Sequence, residues 1–163
     1  MNVNLRIDGG TIATSRGKLR AGLAIENGKI AAIGMENRLP KADRTIDASG
    51  KYILPGLVDP HVHFRYLDTP IDESFGLMTR SATAGGVTTV LPFIASMESL
   101  VSSLEVFRQI YELGAHVDGS FHAIIFKTEQ ISEIPALIEK GVTSFKFPAL
   151  QGIRGSRGGR GYR

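Results

Sequence analysis

Short apolar stretches alternate with turn residues along the first fifty positions of the chain. Residues 5–7, 11–14 and 23–25 are each followed by glycine or polar residues, a pattern typical of β-strands joined by turns. The Asn27-Gly28 pair predicts a tight type I′ hairpin turn, because both residues readily adopt the left-handed backbone conformation that this turn requires. Residues 29–34 form the returning strand. We therefore expect a small antiparallel β unit over residues 1–54.

After Pro55 the pattern changes to buried strands separated by helical periods. Each strand is a short apolar run and each helix repeats its apolar residues every three or four positions. The predicted strands cover residues 56–61, 87–93, 119–126 and 142–147. The predicted helices cover residues 73–85, 100–114 and 131–138. This βαβαβαβ order indicates parallel strands connected by crossover helices.

The number of strands limits the architecture. Residues 55–147 supply four strands and three helices, whereas a closed (β/α)8 barrel takes about 250 residues. We therefore predict an α/β fold, in which a small N-terminal β unit precedes the first half of a TIM-like barrel that stays incomplete. A small flavodoxin-like open sheet fits the same strand count, and the motifs described below favour the barrel.

Composition excludes several classes of protein. The chain is 42% hydrophobic and 21% charged, which is ordinary for a globular protein and excludes general disorder and collagen. The absence of cysteine excludes thiolate metal sites and thiol catalysis. No apolar run approaches the roughly 18 residues of a membrane span, and the first residues lack a signal-peptide pattern. We expect a cytoplasmic protein without a membrane partner.

The basic character of the chain is confined to its C-terminal end. The formal net charge is +3, but residues 151–163 contain four arginines and no acid, so the remainder has a net charge of −1. Residues 148–163 are therefore predicted to form a disordered Gly/Arg-rich tail. One short Arg-Gly segment is weak support for RNA binding. Nucleic acid is accordingly not the expected partner, although RNA binding through the tail stays an alternative.

Three polar residues alternate at the end of the first predicted barrel strand. Side chains on a strand point to opposite faces in turn, so Asp59, His61 and His63 share one face. Two imidazoles placed in this way can bind one cation together. An isolated His-x-His is weak evidence on its own, since a pair of polar residues at a strand end fits as well.

Lys146 is the polar residue of the fourth predicted strand. Alternation places Ser144 and Lys146 on one face and Phe145 and Phe147 on the other. A lysine that points into a barrel is costly unless it is paired or neutral. A neutral lysine amine can react with carbon dioxide to give a carbamate, which is an anionic ligand for metal ions. The alternative is that Lys146 extends to solvent at the strand end, which is the commoner arrangement.

Several motifs in order resemble the cyclic amidohydrolases, the hydantoinase, dihydropyrimidinase, allantoinase and dihydroorotase branch of the amidohydrolase superfamily. Residues 55–65 (PGLVDPHVHFR) resemble the first-strand signature, and residues 82–90 resemble the next helix and strand. Residues 141–146 resemble the fourth-strand segment that carries a carboxylated lysine. Residues 9–11 and 27–34 resemble the N-terminal β unit. The resemblance extends over residues 4–147.

This resemblance implies a metal-dependent hydrolase acting on carbon-nitrogen bonds of a small cyclic amide. Two divalent cations, usually zinc, would lie at the C-terminal face of the strands, with His61 and His63 as ligands and carboxylated Lys146 bridging both. A hydroxide bridging the cations would attack the ring amide carbonyl. Asp59 would orient a ligating histidine, and Arg65 matches the dihydroorotase-type arginine that holds a substrate carboxylate. Arg65 could equally pair with a nearby aspartate.

The family also uses residues that have no counterpart in this sequence. Two further histidine ligands and the catalytic aspartate come from the fifth, sixth and eighth barrel strands. His116 and His122 match no ligand motif and are expected to be structural. We interpret the chain as an N-terminal piece, shortened by frameshift, truncation or rearrangement, that binds metal poorly and is inactive alone. The intact enzyme is expected to be a homo-oligomer.

The substrate and the class of function stay open at this point. Residues 118–122 and 144–146 favour a hydantoinase or dihydropyrimidinase, whereas Arg65 favours a dihydroorotase, and an allantoinase-like substrate is also possible. A noncatalytic scaffold is a further alternative. A zinc content that falls when His61 or Lys146 is replaced separates a metal site from a scaffold.

Overall fold

The computed structural model describes residues 2–64 and 70–148. These residues group into two compact units that divide between Pro55 and Gly56. Each unit has its own sheets and its own buried cluster.

The N-terminal unit consists of seven short strands and one turn of 3-10 helix at Glu36–Arg38. The strands are β1 Val3–Asp8, β2 Thr11–Thr14, β3 Gly17–Arg20, β4 Gly22–Glu26, β5 Lys29–Gly34, β6 Ala42–Asp47 and β7 Tyr52–Ile53. They form a four-stranded sheet in the order β5-β4-β1-β6 and a three-stranded sheet in the order β3-β2-β7. Ile12, Ala21 and Leu23 form a cluster of buried residues in its core.

The predicted hairpin is confirmed. β4 and β5 pair antiparallel, with Asn27 at φ 50° and Gly28 at φ 73° in the turn between them. The Oδ1 atom of Asn4 accepts a hydrogen bond of 2.7 Å from the Asn27 backbone N–H. This bond attaches the turn to the neighbouring strand β1.

The prediction of an antiparallel unit is confirmed for three strand pairs, β1 with β4, β4 with β5 and β2 with β3, and is wrong for two others. β1 pairs with β6 in parallel, and β2 pairs with β7 in parallel. The chain does not turn back directly after β5 but passes through the 3-10 helix at Glu36–Arg38, so that β6 returns along β1 in the same direction. The weak apolar alternation of residues 42–53 hid these two strands in the sequence.

The second unit alternates strands and helices. Its strands are β8 Leu57–Val62, β9 Val87–Ile94, β10 Asp118–Gly119, β11 His122–Ile124 and β12 Phe145–Lys146. Its helices are α1 Ile71–Ala84, α2 Leu100–Gly114 and α3 Ile134–Glu139, the last preceded by a 3-10 helix at Thr128–Glu133. The strands lie in the order β8, β9, β10 with β11, and β12, and all of these pairs are parallel.

The elements of the second unit differ from the sequence prediction in two strands and in the third helix, in which residues 131–133 belong to the 3-10 helix and the α-helix begins at Ile134. The third predicted strand is divided into β10 and β11, which pair with β9 in the same register on either side of Ser120 and Phe121. The fourth is reduced to two paired residues, Phe145 and Lys146. The first two strands and helices lie within two residues of their predicted bounds.

The core of this unit lies between the sheet and the helices. Phe75 of α1, Leu104 and Tyr111 of α2, Val90 of β9 and Ala123 of β11 are among its buried residues. The polar side chains near the ends of the strands are therefore left on the face of the sheet that points away from the helices. Among the described residues, no helix is long and apolar enough to cross a membrane.

Candidate active site

His61 and His63 lie on the same side of the end of β8. Their ring centroids are 5.3 Å apart, with the rings edge to face. Both rings contact the phenyl ring of Phe93 at the end of β9, at centroid distances of 4.7 Å for His61 and 4.9 Å for His63. Strand alternation and parallel pairing thus bring two imidazoles onto one aromatic surface.

Lys146 reaches the same ring from the other edge of the sheet. Its Nζ atom lies 4.9 Å from the centroid of Phe93, within the range of a cation–π contact. Phe145, the preceding residue, packs instead against the core of the helices. Because neighbouring strand residues face opposite ways, burial of Phe145 directs Lys146 towards the histidines.

Asp59 acts on the backbone of this segment. Its Oδ1 atom accepts a hydrogen bond of 3.1 Å from the backbone N–H of His61. The carboxylate therefore holds the main chain at His61, the first of the two histidines.

His122 of β11 also lies at this site, although the sequence pattern did not indicate it. Its Nε2 atom is 2.8 Å from the carbonyl oxygen of Pro60, and its Nδ1 atom bonds the hydroxyl of Ser144. Its ring centroid is 4.9 Å from that of Phe93. The sequence indicated only that His122 is a polar residue inside an otherwise apolar predicted strand. The contact of His122 with Pro60 was not visible in the sequence, because Pro60 lies 62 positions earlier in the chain. Phe93 was missed for the same reason.

The electrostatics of the site favour a neutral imidazole at His63. Partial burial lowers the pKa of His63, and the positive charges of Lys146 and His61 lower it further. The neutral ring is the form that binds a metal ion. Local charge and local burial therefore both favour the His63 ring without its second proton.

The donor chemistry fits a divalent cation. Two imidazoles on a tetrahedral zinc with bonds of about 2.0–2.1 Å have ring centres roughly 5 Å apart. The observed 5.3 Å between His61 and His63 agrees with that spacing. Within residues 2–64 and 70–148, no three His, Asp or Glu side chains lie together as a metal site, and Lys146 is the further polar side chain that lies against the same phenyl ring as the two histidines.

Two cavities adjoin the site, and Phe93 lines both. One, of about 490 Å³, is also lined by His61, His122, Ser144 and Lys146. The other, of about 410 Å³, is mainly apolar and is lined by His63 together with aromatic and aliphatic side chains. The polar groups thus lie beside a volume large enough for a small ring.

Two predictions fall outside the described residues. Arg65, the candidate substrate-binding residue, belongs to residues 65–69. The tail predicted for residues 148–163 is described only at its first residue. Both stay predictions.

Comparison with known proteins finds hydantoinases among the relatives of this chain. The chain is 36% identical over 158 residues to a D-hydantoinase of Streptomyces coelicolor, covering 90% of this chain and 34% of that protein. It is 35% identical over 151 residues to a D-phenylhydantoinase of Escherichia coli, covering 86% of this chain and 32% of that protein. No family model matches the sequence. The chain spans about a third of the length of these relatives.

Solved structures agree with the sequence comparison. A D-hydantoinase structure superposes with a TM-score of 0.78 at 33% identity, covering 88% of this chain and 32% of that one. In sequence and in structure, the chain is thus similar to the hydantoinases of the cyclic amidohydrolase branch. It corresponds to the N-terminal portion of these cyclic amidohydrolases. A structure of the L-hydantoinase (dihydropyrimidinase) from Arthrobacter aurescens also superposes with a TM-score of 0.78, at 26% identity and with the same coverage.

The family and the fold class predicted from the motifs are both confirmed. The parallel sheet β8–β12 with its helices matches the first part of a hydantoinase barrel, preceded by a β unit. The two sequence relatives named above are called hydantoinases, and not dihydroorotases or allantoinases.

Proposed function

We propose that this chain carries the first part of the active site of a metal-dependent hydrolase that opens small cyclic amides of the hydantoin or dihydropyrimidine type. The observation that carries the proposal is the placement of His61, His63 and Lys146 around one ring, that of Phe93, at the ends of parallel strands. The hydantoinase and dihydropyrimidinase relatives support the choice of substrate class.

Each residue has a separate role in this proposal. His61 and His63 would hold a divalent cation, and Lys146, as a carbamate, would provide an anionic oxygen ligand for the metal site. Asp59 holds the main chain at His61 through its 3.1 Å hydrogen bond. Metal ions held there, zinc by the usual preference for nitrogen ligands, would supply the charge that polarises an amide carbonyl and acidifies water.

The protein environment prepares these groups. Partial burial lowers the pKa of His63 and so favours its neutral ring, and the phenyl ring of Phe93 stacks on that imidazole. The apolar cavity beside His63 would exclude water from one side of a bound ring. Arg65, which follows this segment, stays a candidate for contact with substrate.

The remaining parts of the active site would come from a longer polypeptide. We propose that the 163-residue chain alone binds metal weakly and hydrolyses neither hydantoin nor dihydrouracil. A cytoplasmic location and a homo-oligomeric state of the intact enzyme remain predictions from the sequence.

A zinc titration in bicarbonate buffer tests the proposal. The wild-type chain should bind zinc stoichiometrically at high metal concentration, and native mass spectrometry should show the mass of one added CO₂. His61→Ala and Lys146→Ala should each abolish measurable binding. His116→Ala is the matched control, because His116 lies outside this cluster, with its backbone N–H bonded to Thr79.

Two results would count against the proposal. Wild-type binding that is unchanged by His61→Ala and Lys146→Ala would remove the metal site from these residues. Hydrolysis of dihydrouracil or hydantoin by the 163-residue chain would contradict the inference that the rest of the barrel is needed.

A further inference from the structure

His122 joins two strands that are not neighbours in the sheet. β9 and β11 lie between β8 and β12, yet His122 contacts Pro60 of β8 through Nε2 and Ser144, next to β12, through Nδ1. A backbone carbonyl only accepts hydrogen bonds, so in the neutral ring Nε2 carries the proton and Nδ1 accepts from the serine hydroxyl. Both ring nitrogens are therefore used.

The two contacts lie next to the candidate metal ligands. Pro60 is placed between Asp59 and His61, and Ser144 is two residues before Lys146. One side chain thus connects the segment that carries the two histidines with the segment that carries the lysine.

The sheet itself holds this part of β8 weakly. The pairing of β8 with β9 is regular at Asp59 and Val90 but shifts before Val62 meets Pro92. Proline has no backbone N–H, so neither Pro60 nor Pro92 donates a hydrogen bond to the opposite strand. The Pro60 carbonyl finds its donor in the Nε2–H of His122, 2.8 Å away.

We propose that His122 is a positioning residue, which fixes the Asp59–His63 and Ser144–Lys146 segments relative to each other so that the candidate ligands meet on the ring of Phe93. This inference rests on the proposed function for the identity of the ligands. The geometric part of it, the placement of His61 and His63 by His122, holds with or without metal. The role acts through the backbone and through Ser144, and His122 itself is not a ligand in this arrangement.

Three variants of the full chain separate the hydrogen bonds from simple packing. His122→Phe keeps a ring against Phe93 and removes both hydrogen bonds. His122→Gln keeps a donor able to reach the Pro60 carbonyl. His116→Gln is the control for loss of a histidine elsewhere in the same unit.

The first measurement uses the chain with a chelator, so that it does not depend on metal. Two-dimensional ¹H–¹⁵N NMR of the imidazoles should show His122 as the Nε2–H tautomer. The ring signals of His61 and His63 should move in His122→Phe, move back towards wild type in His122→Gln, and stay unchanged in His116→Gln. An Nδ1–H tautomer in the wild type, or unchanged ring signals in His122→Phe, would overturn the inference.

The second measurement is the zinc affinity of the same proteins, with thermal unfolding as the check on the fold. Loss of a residue that orients metal ligands commonly weakens metal binding roughly ten- to hundredfold. We expect a loss of that size in His122→Phe, partial recovery in His122→Gln, and no loss in His116→Gln. Equal zinc affinity of His122→Phe and wild type would count against the inference.

The two measurements also separate this inference from the proposed function. A wild-type chain that binds no zinc refutes the metal site, whereas the NMR signals of the chelated chain still decide whether His122 positions His61 and His63. If His122→Phe does not fold, the tautomer of the wild type and the signals of His122→Gln decide instead.

Discussion

The imidazole ring of His63 stacks on the phenyl ring of Phe93, with centroids 4.9 Å apart and ring planes 14° apart. The same phenyl ring contacts His61 and His122 and lies 4.9 Å from the Nζ atom of Lys146. One phenyl ring at the end of β9 therefore lies against all four of these polar side chains. It also lines both cavities at the site.

Lys146→Met should raise the pKa of His63 in the chelated chain. Burial is the main cause of the lowered pKa and remains in the variant, but the repulsion by the Lys146 ammonium is removed. The pKa should therefore move up towards the ordinary value of 6.5 without reaching it. Histidine NMR signals followed against pH measure this change.

Lys140→Met is the control for that experiment. Lys140 is paired with Glu105 at 2.7 Å and is not among the charges that act on His63. An equal rise of the His63 pKa in both variants would show that Lys146 has no specific effect.

Tyr111→Phe should lower the free energy of unfolding by about 1 kcal/mol near neutral pH. The buried Tyr111 hydroxyl donates a hydrogen bond of 2.8 Å to the backbone carbonyl of Val117, which the variant leaves without its donor. Urea unfolding of both proteins at pH 7 measures the difference.

The same pair of proteins should converge in stability at high pH. Burial raises the pKa of Tyr111 to about 12, with a further contribution from the charge of Asp118. Tyrosine in the unfolded chain ionises near 10. The stability that the wild type gains from its neutral, buried Tyr111 is therefore lost as the pH rises above 10 towards 12. A difference between the two proteins that stays constant from pH 8 to pH 11 would contradict the raised pKa.

Gly119→Ala should destabilise the second unit by about 1–3 kcal/mol. A Cβ atom at this position would lie 2.5 Å from Cζ of the buried Tyr111 ring, so the ring or strand β10 would have to move. Gly34→Ala is the control, since its Cβ atom would be 3.9 Å from the nearest neighbour and its backbone conformation suits alanine. Urea unfolding compares the two, and equal small effects would show that the Tyr111 contact is easily relieved.

Thr79→Val should cost about 1–3 kcal/mol because it leaves a polar group without its partner. The fully buried Thr79 hydroxyl donates to the Phe75 carbonyl within α1 and accepts a 3.0 Å hydrogen bond from the His116 backbone N–H. The nearly isosteric valine removes the acceptor for that N–H. Hydrogen exchange at His116 should become faster.

Thr83→Val is the matched control, one helical turn along. The Thr83 hydroxyl donates only to the Thr79 carbonyl within the same helix. Its replacement should change the free energy of unfolding by less than the replacement of Thr79. The reverse order would indicate that the bond between α1 and His116 contributes little.

Local patterns predicted much of the fold because the features they report are themselves local. Asn27-Gly28 adopts its turn through its own backbone conformation. The apolar repeat of α2 indicates a buried helical face wherever the helix docks. By contrast, the parallel pairing of β1 with β6 depends on contacts between strands about forty residues apart, which no local pattern contains.

The sequence by itself determined the family motifs and the shared face of His61 and His63, since strand alternation is a property of the backbone. Only the tertiary structure decided what lies opposite that face. Phe93 became the common surface and His122 became the connection to Pro60 because parallel strands bring the ends of β8, β9, β11 and β12 to one edge. That convergence results from packing the sheet against its helices, and hydrogen bonds such as the one between His122 and Pro60 exist only after it has formed.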